Sequence, residues 1–173
     1  MVDKAESTQE RELVLRKVYI KDLSFESPRP TESLIITDLN PYIDFNVSTQ
    51  VRSVSENFYE VTLRITITAI QKDTDKALYL IEVSQAGLFE ILGHADKAEL
   101  TEVLNSRCAD ILLPFVRESI STVIMQGGFP PLLLQPIQFD RLYRQYLEQA
   151  VAESVNRTDE MESTPEQLKS ESK

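Results

Sequence analysis

Two stretches of strict alternation, separated by a short polar link, constrain this chain more than anything else in it. In residues 42–52, Ile43, Phe45, Val47, Thr49 and Val51 hold the odd positions, while Tyr42, Asp44, Asn46, Ser48, Gln50 and Arg52 hold the even ones. Residues 59–70 repeat the pattern, with Val61, Leu63, Ile65 and Ile67 set against Glu60, Thr62, Arg64, Thr66 and Thr68. Successive strand side chains point to opposite faces, so a period of two describes a strand buried on one side and wet on the other. The link Ser53 to Asn57 is short enough to join the two as a hairpin.

A further strand, Leu78 to Gln85, follows the turn-like Lys72-Asp73-Thr74-Asp75-Lys76 and carries Glu82 between Ile81 and Val83. An earlier one, Val14 to Glu26, alternates imperfectly at first and then cleanly, with Leu23 and Phe25 opposed to Asp22, Ser24 and Glu26. The second half changes period. Asp96 with Glu99 has the spacing of a capping box ahead of Leu100, Val103 and Leu104, which predicts a short helix. Leu113, Val116, Ile120, Val123 and Ile124 recur at helical spacing, and Gly127-Gly128 supplies a left-handed stop. Pro114 must then sit in the first turn or kink the helix. A last helix begins near Asp140 and puts Phe139, Leu142, Tyr143, Tyr146, Leu147 and Ala150 on one stripe. Strands first and helices later predict an α+β domain built on an antiparallel sheet. The domain is expected over residues 12–152, between a polar segment 1–11 and a Ser/Glu-rich tail 153–173, both expected to be disordered.

The formal net charge of −10 speaks against nucleic acid, where affinity comes from Lys and Arg displacing counterions from phosphates. An acidic protein suits a basic or apolar partner. No apolar run approaches the roughly 20 residues that cross a bilayer, and the first twelve residues are too charged for a signal peptide. A soluble cytoplasmic protein is expected. The single cysteine, Cys108, cannot form an intrachain disulfide. Catalysis would need Cys108 in contact with the lone histidine, His94, and with a group to orient it; a buried structural cysteine and a surface histidine are the plainer reading. Four glycines cannot build a phosphate cradle, and Asp73 with Asp75 reads as a solvated turn before a calcium site. No cofactor is implied.

Two other features admit a functional reading and a structural one. Asp22, Glu26, Glu60 and Glu82 lie on the polar faces of strands, where carboxylates can simply keep a sheet soluble. Leu80 shares the parity of Glu82, however, and an apolar residue amid carboxylates also fits a docking patch. Leu34, Ile35, Ile36 and Leu39, between Pro30 and Pro41, and Leu132, Leu133 and Leu134, between Pro130 and Ile137, either plug the core or line a groove, and the tyrosine stripe of the last helix has the same ambiguity.

Taken together and in this order, the segments resemble the SecB family of bacterial export chaperones from Val18 to Leu147. The resemblance is carried by Lys21-Asp22-Leu23-Ser24-Phe25-Glu26, Tyr59-Glu60-Val61, Glu82-Val83 with Gly87-Leu88-Phe89, Cys108 with Ile111-Leu112 and Pro114, Arg117-Glu118, Gly128-Phe129-Pro130, Phe139-Asp140 and Tyr146-Leu147. It implies a four-stranded antiparallel sheet, a crossover after the first strand, a long helix and a shorter C-terminal helix. It also implies a homotetramer, a dimer of dimers, that binds unfolded secretory preproteins without ATP or catalysis and delivers them to the SecA motor. By position, the motor contacts would fall on Asp22, Glu26, Leu80 and Glu82. The client groove would be lined by Leu34, Ile36, Leu39, Ile43, Phe45, Val47, Tyr143 and Leu147. Leu39 stands where the family often has tryptophan, and the tail has no close family counterpart. Some SecB-like proteins guard antitoxins instead, which is the alternative function within the same class.

Overall fold

A computed structural model describes residues 11–93 and 96–162, with side chains to residue 150. The chain runs β1 (Glu12–Glu26), α1 (Pro30–Leu34), β2 (Pro41–Ser55), β3 (Phe58–Gln71), β4 (Lys76–Leu92), α2 (Lys97–Asn105), α3 (Arg107–Gln126) and α4 (Phe139–Glu162). All four strands pair antiparallel in the order β1-β4-β3-β2. The expected α+β architecture is therefore present.

Each strand turns its apolar parity toward the helices. On β3 and β4 that parity is fully covered: Val61, Leu63, Ile65, Ile67, Ile81, Val83 and Phe89 are all completely buried. Against them α3 lays Cys108, Leu112, Val116, Ile120 and Ile124, one stripe at helical spacing. Gly87 allows the close approach of helix and sheet, since a Cβ there would stand 2.6 Å from Phe89 Cε2 and 2.9 Å from Leu112 Cδ2.

The imperfect alternation early in β1 has a geometric cause. Two register shifts, between Leu15 and Lys17 and between Ile20 and Asp22, each insert an extra residue. Leu13, Leu15, Val18, Ile20, Leu23 and Phe25 thereby all pair with the inward parity of β4, although their numbers do not alternate.

Several boundaries differ from the sequence reading. β4 continues to Leu92, because Gly87, Phe89 and Ile91 keep the inward parity past the small residues that hide it. α3 begins at Arg107, two turns before Leu113, so Pro114 lies in the helix interior and not in the first turn. The left-handed stop falls on Gly128, at φ +85°, while Gly127 stays right-handed. Asp96 does cap α2, accepting a hydrogen bond from Ala98 N at 2.9 Å, but Glu99 pairs with Arg11 on the neck of β1. α4 spans 24 residues against 20 for α3, so the C-terminal helix is not the shorter of the two. The helix formers Glu148, Gln149, Ala150, Ala152 and Glu153 continue it. It thus overlaps the start of the tail placed at 153–173; residues 1–10 and 163–173 lie outside the described residues.

The crossover from β1 to β2 traverses the sheet on its helical side. It is fixed at its start by Ser27 Oγ donating to Leu78 O at 3.0 Å, and at its end by Asn40 N donating to Gln71 Oε1 at 3.3 Å. Inside it the short α1, begun by Pro30, was not legible as a helix. Its Leu34 lies over Gly128, where a Cβ would come within 2.8 Å of Leu34 Cδ2.

Candidate functional site

Among the described residues no helix covers the outer face of the sheet, and the register brings distant residues together on it. Glu26 is opposite Leu80, Ser24 opposite Glu82, and Asp22 opposite Ser84. The same row continues into β3, where Leu80, Glu82 and Ser84 face Thr68, Thr66 and Arg64. Asp22, Glu26, Leu80 and Glu82 thus form one patch across two neighbouring strands. Glu82 accepts from Thr66 Oγ1 at 3.3 Å and lies 3.7 Å from Arg64 Nε, while Asp22 and Glu26 carry no ion pair among the described residues. The sequence places Arg64 on the polar face of its strand, but only the cross-strand register puts it beside Glu82.

Glu60, the fourth acid of that reading, lies on the same face but farther along the sheet. It is 6% exposed and gathers three donors: Lys21 Nζ at 2.6 Å, Tyr19 Oη at 2.5 Å and Arg52 Nη2 at 3.2 Å. The Lys21 ammonium, then the Tyr19 hydroxyl and the Arg52 guanidinium, hold its carboxyl down at about 2 against an ordinary 4.5. A depressed carboxyl pKa contributes stability that is complete above the unfolded value and lost as pH falls through the folded one. Acid denaturation between about pH 4.5 and 2 should therefore be less steep in Glu60→Gln than in the parent. Melting temperature against pH checks this, and parallel curves would reject it.

On the inner side the helices cover β3 and β4 but leave β2 partly bare. Phe45 and Val51 are each 38% exposed on the parity that should be core. Between this edge strand and the helices opens a groove of about 640 Å³. β2 contributes Val47 to Thr49, and α2 contributes Thr101 and Asn105. The far wall is α4, through Phe139, Leu142, Tyr143, Tyr146 and Leu147. Phe139 anchors that helix at 3% exposure, while Leu142, Tyr146 and Leu147 remain 40%, 66% and 44% exposed.

Of the residues assigned to a client groove, Val47, Tyr143 and Leu147 meet here. Phe45 is adjacent in the same strand and open to solvent. Ile36, Leu39 and Ile43 are half-buried and pack against the core, and Leu34 is held over Gly128. Leu142 and Tyr146 belong to the stripe visible in the sequence; Thr101 and Asn105, being polar helix residues, gave no signal.

Cys108 is fully buried, and burial pushes its thiol up to about 12, so it holds almost no thiolate at neutral pH. His94 lies outside the described residues. No cluster of three metal-ligating side chains occurs among the described residues, and no described helix is long and apolar enough to cross a membrane.

The sequence model of the family described as preprotein translocase subunit SecB matches residues 6–150. The chain belongs to the SecB family. It is 43% identical over 147 residues to the protein-export protein SecB of Dichelobacter nodosus, covering 84% of this chain and 92% of the relative. The SecB of Methylococcus capsulatus is 40% identical over 141 residues, covering 82% and 88% of the two chains. That of Hahella chejuensis is 37% identical over 165 residues, covering 95% and 96%. Among solved structures, a SecB-like chaperone of Mycobacterium tuberculosis in complex with an antitoxin peptide superposes with a TM-score of 0.56. At 16% identity, over 72% of this chain and 90% of that one, it shares the SecB fold.

Proposed function

We propose that this SecB-family protein is a cytoplasmic, ATP-independent export chaperone without catalytic activity. It holds secretory preproteins unfolded in the groove between β2 and α4 and passes them to the SecA motor, which docks on the acidic outer face. The observation that carries the reading is the groove itself: an open apolar channel beside an edge strand, walled by Tyr143, Tyr146 and Leu147. An unfolded chain offers no fixed surface, only apolar side chains and unpaired backbone. A groove with exposed aromatics accepts the former at roughly 25 cal/mol per Å² buried, whatever the sequence. Folding of the client withdraws those side chains, so release needs no nucleotide.

The acidic patch supports the second half. Asp22, Glu26 and Glu82 around Leu80 complement a basic segment with an apolar residue, and such charge acts mainly on encounter rate and specificity. A guardian of antitoxins is the second reading within this fold. The relatives that match along most of the chain carry the export name, which favours the first reading.

The test is capture of one purified secretory precursor in its unfolded and folded forms, with and without the motor. Capture of the unfolded form alone, and its transfer to the motor, are expected; equal capture of both forms would reject the reading. A homotetramer is expected as well. Ile20 at 51% and Leu23 at 36% exposure on β1, and Phe115 at 43% and Met125 at 50% on α3, leave two apolar surfaces for self-association. Each interface should bury on the order of 1,000 Å². Light scattering should give four times the 19.8 kDa of one chain, and a monomer at micromolar concentration would refute it.

A further inference from the structure

Strand β1 leaves regular pairing at two places, and a basic residue stands at each. Leu15 faces Phe89 and Lys17 faces Leu88, which makes Arg16 the extra residue; Ile20 faces Gln85 and Asp22 faces Ser84, which makes Lys21 the second. Both extra residues find a carboxylate across the outer face, Arg16 at Glu90 and Lys21 at Glu60. An inserted residue reverses the parity of all that follows it. Before Lys21 the outward positions are odd, Lys17 and Tyr19; after it they are even, Asp22, Ser24 and Glu26. The β1 half of the acidic patch therefore exists because Lys21 is accommodated as an extra residue.

Apolar burial grips the two sides of the insertion unequally: Phe25, four residues beyond it, stacks on Tyr79 with ring centroids 5.9 Å apart and packs against the core. Ile20 and Leu23, on either side of the insertion, are 51% and 36% exposed on the inner face of β1 in the single chain, before the self-association proposed above covers them. On the polar side Glu60 itself is enclosed at 6% exposure, while Lys21 and Arg52 keep 47% and 67% of their side chains exposed. Glu60 takes Lys21 on one carboxylate oxygen and Tyr19 on the other, and Arg52 closes the cluster from β2, so one carboxylate ties both edge strands to β3. Charged hydrogen bonds of this kind are stronger than neutral ones and fix geometry as well as distance.

We propose that this Glu60 cluster positions the partner-docking patch: by holding Lys21 outward as the extra residue of β1, it sets the register that presents Asp22 and Glu26 beside Glu82. Lys21 and Glu60 are positioning residues, acting through the strand. The inference rests on the docking role proposed for the acidic face, and it makes a prediction whose sign separates it from simple electrostatics. Lys21→Met removes a positive charge next to Asp22, which by charge alone should tighten binding of a basic segment. Loss of the register should weaken it.

The experiment compares full-length parent, Lys21→Met and Lys21→Arg for motor affinity at low salt, for precursor capture, and for amide hydrogen exchange in Asp22 to Glu26. Lys21→Met should weaken motor binding by about threefold or more and speed exchange in this segment by about tenfold, with precursor capture unchanged. Lys21→Arg, which keeps the charge and the donor, should restore both. Tighter or unchanged motor binding in Lys21→Met would overturn the inference, and so would faster exchange without weaker binding. Normal motor binding by a variant lacking Asp22, Glu26 and Glu82 together would sink the docking reading, and the inference with it.

Discussion

Alanine at Tyr143 and Leu147 together is expected to raise the Kd for an unfolded precursor by about a hundredfold at a single groove. Burying a large apolar side chain is worth about 1.5 to 3 kcal/mol, and 1.4 kcal/mol is a tenfold change in affinity, so each residue alone should cost about tenfold. Linked grooves on one assembly would reduce the apparent loss, since a long client rebinds at a neighbouring site before it escapes. The measurement is therefore best made with a short apolar peptide that can occupy one groove. Stability is the confound. Leu147 is 44% exposed and Tyr143 is half-buried, so truncation should cost less than the roughly 2 to 5 kcal/mol of a core deletion. Thermal melting alongside the titration separates the two effects. A double variant that melts like the parent and binds the peptide unchanged would remove α4 from the client site.

The second large effect is expected on the outer face. Asp22→Ala, Glu26→Ala and Glu82→Ala combined should lower motor affinity by up to about 3 kcal/mol, a factor of roughly 100, since exposed ion pairs contribute up to about 1 kcal/mol each. Glu82 is the most constrained of the three, because Arg64 and Thr66 already engage it. Its single substitution should therefore have a smaller effect than that of Asp22 or Glu26, neither of which has an ion-pair partner among the described residues. The parent interaction should weaken with salt, as screening of exposed charges requires, and the triple variant should lose most of that dependence. Precursor capture provides the control, because the groove lies on the opposite face of the sheet. A triple variant that bound the motor with the parent's affinity and salt dependence would show that docking lies elsewhere.

How far the sequence could be read depended on whether a residue's role is set by its own neighbours or by another strand. β3 was legible almost to the residue, because it alternates without interruption, whereas β2 runs on to Ser55 through three residues expected in the link. β1 was blurred by Arg16 and Lys21, whose insertion becomes intelligible once the pairing with β4 is known. The start of α3 stayed open because Pro114 fitted either a first turn or a kink, although Cys108, Ala109 and Leu112 already lay on the same buried stripe. The acidic patch was half visible: parity put Glu82 and Leu80 together within β4, but their placement against Asp22 and Glu26 came from family resemblance and the register. The groove was least legible. It arises because three helices cover only part of a four-stranded sheet, a property of packing that no local pattern records.

The buried cysteine has a practical consequence. Because Cys108 is enclosed between α3 and the sheet, with its thiol held up near 12, ordinary thiol reagents should not reach or ionise it in the folded protein. A single cysteine introduced at the groove rim or on the acidic face would then be the one reactive thiol, and a fluorophore could be attached there with the native residue left in place. The same silence makes Cys108 an internal clock for the core: it becomes available to a trapping reagent only when α3 lifts from β3 and β4, so its labelling rate measures that opening.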